Sequence, residues 1–477
     1  MGQEINLTLF NDDHFAHFHK NLQLETQHLK SVIEQKQLSE LPPTAGFEIE
    51  AWLIDDAMQA APNNASFLQN LNDPLAFPEL AKFNIELNGV PKRLTADVFS
   101  TLHKNLLATW DKSCHHAKEL DNHILIIGTL PTLKPSDMTL ANMSDMNRYR
   151  VLNEQILNAR GKPINLDIVG QEHLKFDHYD VMLESATTSL QLHTQIPLTQ
   201  AHHFYNASII ASAAIVASCA NAPYLFGKSL WHESRIPLFE QAIETGGYGG
   251  AAHGPLKRVS FGSDYARASI MECFQENLEH FPVLLPELFD DPIDNFEHLR
   301  LHNGTIWRWN RPLIGFDADH TPHIRIEHRT PSAGPTIIDS IANAAFYYGL
   351  TIDLSNEIMA NGIPLPFTQA KDNFYQAARF GLDGNIVWFD GNKQNLQKLI
   401  QTDLLSRARK GLQFLQVDHK DIDTYLGIME QRIANKQTGS QWQRQFIQQQ
   451  GKNFQDMTKA YLAHQYSELP VSRWDIS

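Results

Sequence analysis

The chain has 477 residues, with Lys+Arg 39 against Asp+Glu 54 and a formal net charge of -15. With no basic tract to grip phosphate backbones, nucleic acid and anionic membranes are excluded as partners. A hydrophobic share of 42% supports a folded protein with a large core, and the length suits roughly two to three domains of ordinary size.

Cys114, Cys219 and Cys273 lie far apart and form no Cys-x-x-Cys pair, the usage of a reduced, intracellular protein. Met1-Gly2-Gln3-Glu4-Ile5-Asn6 carries neither an export pattern nor a myristoylation signal, so the expected compartment is the cytoplasm. Residues 14–41 read as a polar helix. Its His14, His17 and His19 lack the spacing of a defined metal site and read as solvated surface. Leu41-Pro42-Pro43 halts that helix.

The stretch Gly46-Phe47-Glu48-Ile49-Glu50-Ala51-Trp52-Leu53 alternates strictly. As a strand it points Phe47, Ile49, Ala51 and Leu53 one way and Glu48, Glu50 and Trp52 the other. Two carboxylates on one strand face repel each other unless something positive covers them, and a cation is the simplest answer. A solvated sheet face would show the same pattern. Residues 55–78, rich in Asp, Asn, Pro and Ala, read as a loop. A second strand, 83–89, sets Asn84, Glu86 and Asn88 opposite Phe83, Ile85 and Leu87. Residues 94–121 have helical periodicity, and Ile124-Leu125-Ile126-Ile127 reads as a buried strand ending in the turn Gly128-Thr129-Leu130-Pro131. Asn147-Arg148-Tyr149-Arg150 opens a further helix.

Ser189 to Gln195 reads as a third strand, with Leu190 and Leu192 inward and Gln191 and His193 outward. Ala207 to Phe226 is broken by Asn221 and Pro223 and reads as a buried helix, not a membrane span, with Lys228 to Arg235 supplying cations past its end. Gly246-Gly247-Tyr248-Gly249-Gly250, followed by His253, Lys257 and Arg258, lacks the Gly-Lys-Ser/Thr of a phosphate loop. It suits either a closing loop or a plain connector. Thr305 to Arg311 reads as a strand, and Ile324 to Arg329 as another, with Arg325, Glu327 and Arg329 on one face. Carboxylates mixed with guanidiniums suit a guest that brings both metal ions and phosphate oxygens. Beyond about residue 360 the chain turns helical.

Together these strands point to one antiparallel sheet lining a wet cleft suited to hard divalent ions and a nucleoside triphosphate. The motifs Gly46-x-Glu48-x-Glu50, Ile85-Glu86-Leu87-Asn88, Gly128-Thr129-x-Pro131, the Gln191/His193 strand and Glu327-x-Arg329 resemble the carboxylate-amine ligases of the glutamate-cysteine ligase type, over roughly residues 44–390. Asn221-Ala222-Pro223 and Ala377 to Leu382 are similar to further stretches of that family. Two departures stand out: Leu130 where many relatives carry His, and Gln191-Leu192-His193 where some carry His-x-His.

The resemblance implies an α+β, glutamine synthetase-like fold whose antiparallel sheet forms a funnel. Residues 1–360 would be the catalytic part and 361–477 a helical part bracing it. It implies ATP and Mg²⁺ (or Mn²⁺) as cofactors, Glu48, Glu50, Glu86, His193 and Glu327 as metal ligands, Arg329 and Arg311 as catalytic cations, and Arg148, Gln191, Arg235 and Lys257 as nucleotide contacts. The substrates would be small molecules, glutamate with cysteine or another amine, joined through a γ-glutamyl phosphate as in glutathione biosynthesis. Assembly into a homo-oligomer stays open. A non-catalytic nucleotide-binding relative and a two-metal amide hydrolase are the other readings, the latter wanting more His and Asp and no Arg for phosphate.

Overall fold

The structure is a computed structural model that describes residues 4–245 and 257–476. The glycine-rich stretch 246–250 and His253 lie outside the described residues.

A curled, eight-stranded antiparallel sheet organises the molecule. It comprises β1 (Thr44–Ile54), β2 (Ala76–Pro78), β3 (Asn84–Asn88), β4 (Lys92–Arg93), β5 (His123–Leu125), β8 (Leu190–Ile196), β11 (Asn310–Phe316) and β12 (Pro322–His328). Three small antiparallel pairs stand outside it among the described residues, β6 (Ile164–Val169) with β7 (His173–His178), β9 (Tyr224–Leu225) with β10 (Lys228–Ser229), and β13 (Asn385–Val387) with β14 (Lys393–Asn395). Across the main sheet the order is β11-β12-β8-β1-β3-β2, with β4 and β5 pairing the two ends of β1. The strand expected over 305–311 starts only at Asn310, because Ile306 N bonds back to Asn303 O and holds the preceding residues in a turn. Pro312 is tolerated within β11 because that strand is an edge of the sheet.

Helices cover the sheet's apolar side. In chain order the described helices through this region are α1 (Asp12–Glu34), α2 (Asn64–Leu71), α3 (Val98–Lys118), α4 (Asn147–Arg160), α5 (Ala201–Ser218), α6 (Arg235–Ala242), α7 (Met271–His280), α8 (Glu297–Gly304) and α9 (Ile337–Asn361). Helix α2 falls within the expected loop 55–78: Phe67 and Leu71, four apart, are both buried and turn a polar stretch into a packed helix. Helix α1 ends earlier than expected, since Ser39 N already bonds Pro322 O at the tip of β12. In α5 nearly every side chain is buried, as its small residues foretell.

Helix α9 grips the sheet directly. The Tyr348 hydroxyl donates to Gly46 O at 2.8 Å and is 3.2 Å from His193 O, tying β1 to β8, and the Tyr347 ring stacks on His328 at 4.1 Å. The helices after residue 361 share the one apolar core that runs from Ile5 to Trp474. Arg432 pairs with Asp339 of α9 at 2.7 Å, both fully buried. No helix among the described residues is long and apolar enough to cross a membrane.

Candidate active site

Strand pairing turns the scattered acidic positions into a row. Glu50 stands opposite Glu86 on β3 and Glu48 opposite Gln191 on β8. His193 stands opposite Glu327 on β12, and Glu327 opposite Arg311 on β11. Residues directly opposite in an antiparallel ladder share a face, so these side chains reach one side of the sheet across five adjacent strands. The solvated-sheet reading fails: this face is buried, with Glu86 and Glu327 each 1% exposed.

The row forms the floor of a cleft. Glu48, Glu50, Glu86, Gln191, Arg311, Glu327, Arg329 and Arg148 all line it, joined by Glu79, Glu184, Arg325 and Tyr149. Glu79 and Glu184 had no signal of periodicity, for Glu79 follows the short strand β2 and Glu184 sits on a turn of 3-10 helix, Val181–Ala186. The nearest clue was Asp180, which caps that turn by accepting from Met182 N at 2.9 Å. Arg325 was visible on the Glu327 face but carried no assignment.

Two expected contacts lie off the cleft wall. Arg235 is 2% exposed and spends its guanidinium on Glu233 at 2.9 Å and on Thr330 O at 2.8 Å, next to Arg329. Lys257 is exposed and 3.6 Å from Glu244. His193 shares the row's face but stays off the cleft wall, with its Nε2 3.2 Å from Glu48 Oε1.

Charges are distributed unevenly. Glu327 accepts two parallel bonds from Arg311, each 2.9 Å, and two from Arg329, at 3.1 and 2.7 Å. Burial opposes ionisation there, but Arg311, Arg329 and His193 outweigh it and hold the carboxyl far below the usual carboxylate range. At the other end of the row burial prevails. It raises Glu50 even though Ser189 donates twice and Gln191 once to that carboxylate. Burial, with Glu48 and Glu79 close by, raises Glu86 far above its ordinary value. Burial and the charges of Glu50 and Glu184 push Glu79 up to about 7, against the pull of Arg148. Burial and Glu50 push Glu184 up to about 8.

Crowded carboxylates of this kind fit divalent cations, which prefer hard oxygen donors. Among the described residues, Glu48, His193 and Glu327 can bring one ligand atom each to within 4.8 Å of one another. Both His193 ring nitrogens are buried; among the described residues Nδ1 has no hydrogen-bond partner and Nε2 meets only Glu48, which suits an imidazole meant for a metal. Glu48, His193 and Glu327 therefore fit the group that the resemblance implies, while Glu50 and Glu86 line the same cleft outside that cluster.

Comparison with known proteins agrees with this geometry. The model of glutamate-cysteine ligase family 2 matches residues 44–467. A putative glutamate-cysteine ligase 2 of Trichormus variabilis is 27% identical over 126 residues, 24% of this chain and 33% of that protein, so the chain aligns with about a third of that relative's length. The crystal structure of glutamate-cysteine ligase from Francisella tularensis in complex with AMP has the same fold, with a TM-score of 0.55 at 11% identity over 92% of this chain and 91% of that one. Since the family model spans most of the sequence, the chain belongs to glutamate-cysteine ligase family 2, a ligase family by its description.

Proposed function

We propose that the chain is an ATP-dependent carboxylate-amine ligase, and specifically a glutamate-cysteine ligase that forms γ-glutamylcysteine through a γ-glutamyl phosphate. The observation that carries this reading is the row Glu86, Glu48/Glu50, His193, Glu327 and Arg311, placed in register on one cleft-facing side of the sheet. An oxygen-rich floor that ends in guanidiniums is what a metal-bound triphosphate requires.

Glu48, Glu50, Glu86, His193 and Glu327 would hold Mg²⁺ or Mn²⁺. The ions, when bound, neutralise phosphate charge and polarise the transferring phosphoryl group. Arg329 uses Nε and Nη2 on Glu327, which leaves Nη1 for a phosphate oxygen as charge builds on it. Arg311 keeps Glu327 ionised and fixed. Gln191 orients Glu50, and Arg148 faces the cleft beside Glu79 and Glu184 for a substrate anion. Arg235 would act through Thr330 and the backbone next to Arg329, and Lys257 at the margin. Residues 1–360 would carry the site and 361–477 brace it.

Release of ADP from ATP and Mg²⁺ is the test, with glutamate present and cysteine, then other amines, added one at a time. Release that needs both glutamate and cysteine supports the specific reading. Release with a different amine or acid keeps the ligase and replaces its substrate. ATP binding with no release for any pair would leave a non-catalytic nucleotide binder and sink the proposal.

A further inference from the structure

The arginines of the cleft are not equivalent. Arg311 and Arg329 are both committed to Glu327. Arg325 shares their face of β12 but stands two residues before Glu327, about 7 Å along the strand, opposite Gln195 on β8 and Leu313 on β11. Among the described residues it makes no hydrogen bond or ion pair, and its Nε is buried without a partner. Its charge acts on Glu48 of the acidic row.

A half-buried guanidinium left unpaired is costly unless an anion arrives to meet it. The surroundings say which anion. The Glu48-His193-Glu327 cluster lies further along the face, from Glu327 on β12 across to β8 and β1; Leu313 stands directly across from Arg325 on β11, and Leu299 and Leu301 line the same cleft. A ligand held at the cluster and extending along the cleft comes within reach of Arg325. A nucleoside triphosphate has its anionic chain there, and a guanidinium offers it a planar fork of donors.

We propose that Arg325 binds the phosphate chain of the nucleotide between the metal cluster and the base, as a substrate-contacting residue distinct from Arg311 and Arg329. This rests on the ATP-dependent reading above.

Binding of ATP, inorganic tripolyphosphate and adenosine to the full chain, in the presence of Mg²⁺, tests it without turnover. Arg325→Met should weaken ATP and tripolyphosphate by a similar factor of about tenfold or more, the loss of a charged hydrogen bond, and leave adenosine unchanged. Arg325→Lys should recover part of the loss, and carries the test if the Met variant does not fold. Unchanged ATP affinity in Arg325→Met, or equal weakening of ATP and adenosine, would overturn the assignment. A native chain that binds none of the three probes would instead sink the nucleotide reading itself.

Discussion

The two ends of the acidic row solve the same electrostatic problem in opposite ways. At the β12 end Glu327 is neutralised from within the chain, by two guanidiniums that use both of its oxygens. At the β3 end Glu50, Glu79, Glu86 and Glu184 crowd together, and burial raises each of them although Arg148, Arg235 and Arg329 pull back on some. The charge of the first end is balanced by guanidiniums of the chain itself. The second keeps its carboxylates raised, and it is there that the proposed cation would act most.

Substitution at each end should separate the two strategies most clearly. Glu50→Gln and Glu327→Gln should each lower metal-dependent turnover by at least about 100-fold, the scale of losing one electrostatic element of a preorganised site. Their stabilities should diverge. Glu327→Gln strands two buried guanidiniums and should cost about 3 kcal/mol in denaturant unfolding. Glu50→Gln relieves crowding but turns an amide N–H toward Ser189 or Gln191, which both donate there, and should cost less, about 1 kcal/mol. Full turnover in both variants would place the site elsewhere.

The same contrast sets a pH dependence. Glu79 and Glu184 have folded pKa values of about 7 and about 8, above the ordinary 4.5. A group raised on folding contributes stability that is full below its unfolded value and lost as pH rises through the folded one. Without divalent ions the melting temperature should therefore fall between about pH 5 and pH 8. Saturating Mg²⁺ should flatten that fall, because a bound cation stabilises the ionised carboxylates. Parallel pH profiles with EDTA and with Mg²⁺ would show that the acidic end does not bind the ion.

Arg311→Lys probes the completed end more gently. A lysine keeps the charge but not the fork that meets both Glu327 oxygens, so a loss of about 1–2 kcal/mol is expected. Turnover should fall less than for Glu327→Gln, since Arg329 still holds the carboxylate. Stability equal to the native chain would mean the paired geometry contributes nothing.

Alternation alone was enough to place Glu48, Glu50, Glu86, Gln191, Glu327 and Arg329 on polar strand faces. What alternation cannot give is register. That Glu50 meets Glu86 and His193 meets Glu327 depends on long-range pairing, set by the way α5 and α9 cover the other face. Glu79 and Glu184 were illegible for a different reason, since irregular backbone has no period to betray which way a side chain points. Arg235 shows the converse: a cation past a helix end reads alike whether it meets a ligand or, as here, a buried Glu233. Trp52 looked like part of the acidic face, yet it is fully buried, with its indole N–H shared between Ile127 O and the Thr188 hydroxyl.

The smallest effect is the sharpest test of the uncompensated end. Glu184→Gln removes one charge from the crowd without removing a residue assigned to a metal. Near pH 8 and without divalent ions, it should stabilise the fold by on the order of 1 kcal/mol, about one degree in melting temperature for a chain of this size. Near pH 5 the native Glu184 is already protonated, so the two proteins should melt together. With Mg²⁺ at pH 8 the gain should shrink or reverse, because the cation makes the native carboxylate favourable. A gain of equal size at both pH values would point to better packing of the amide rather than relief of repulsion, and the acidic end would then need no cation to explain it.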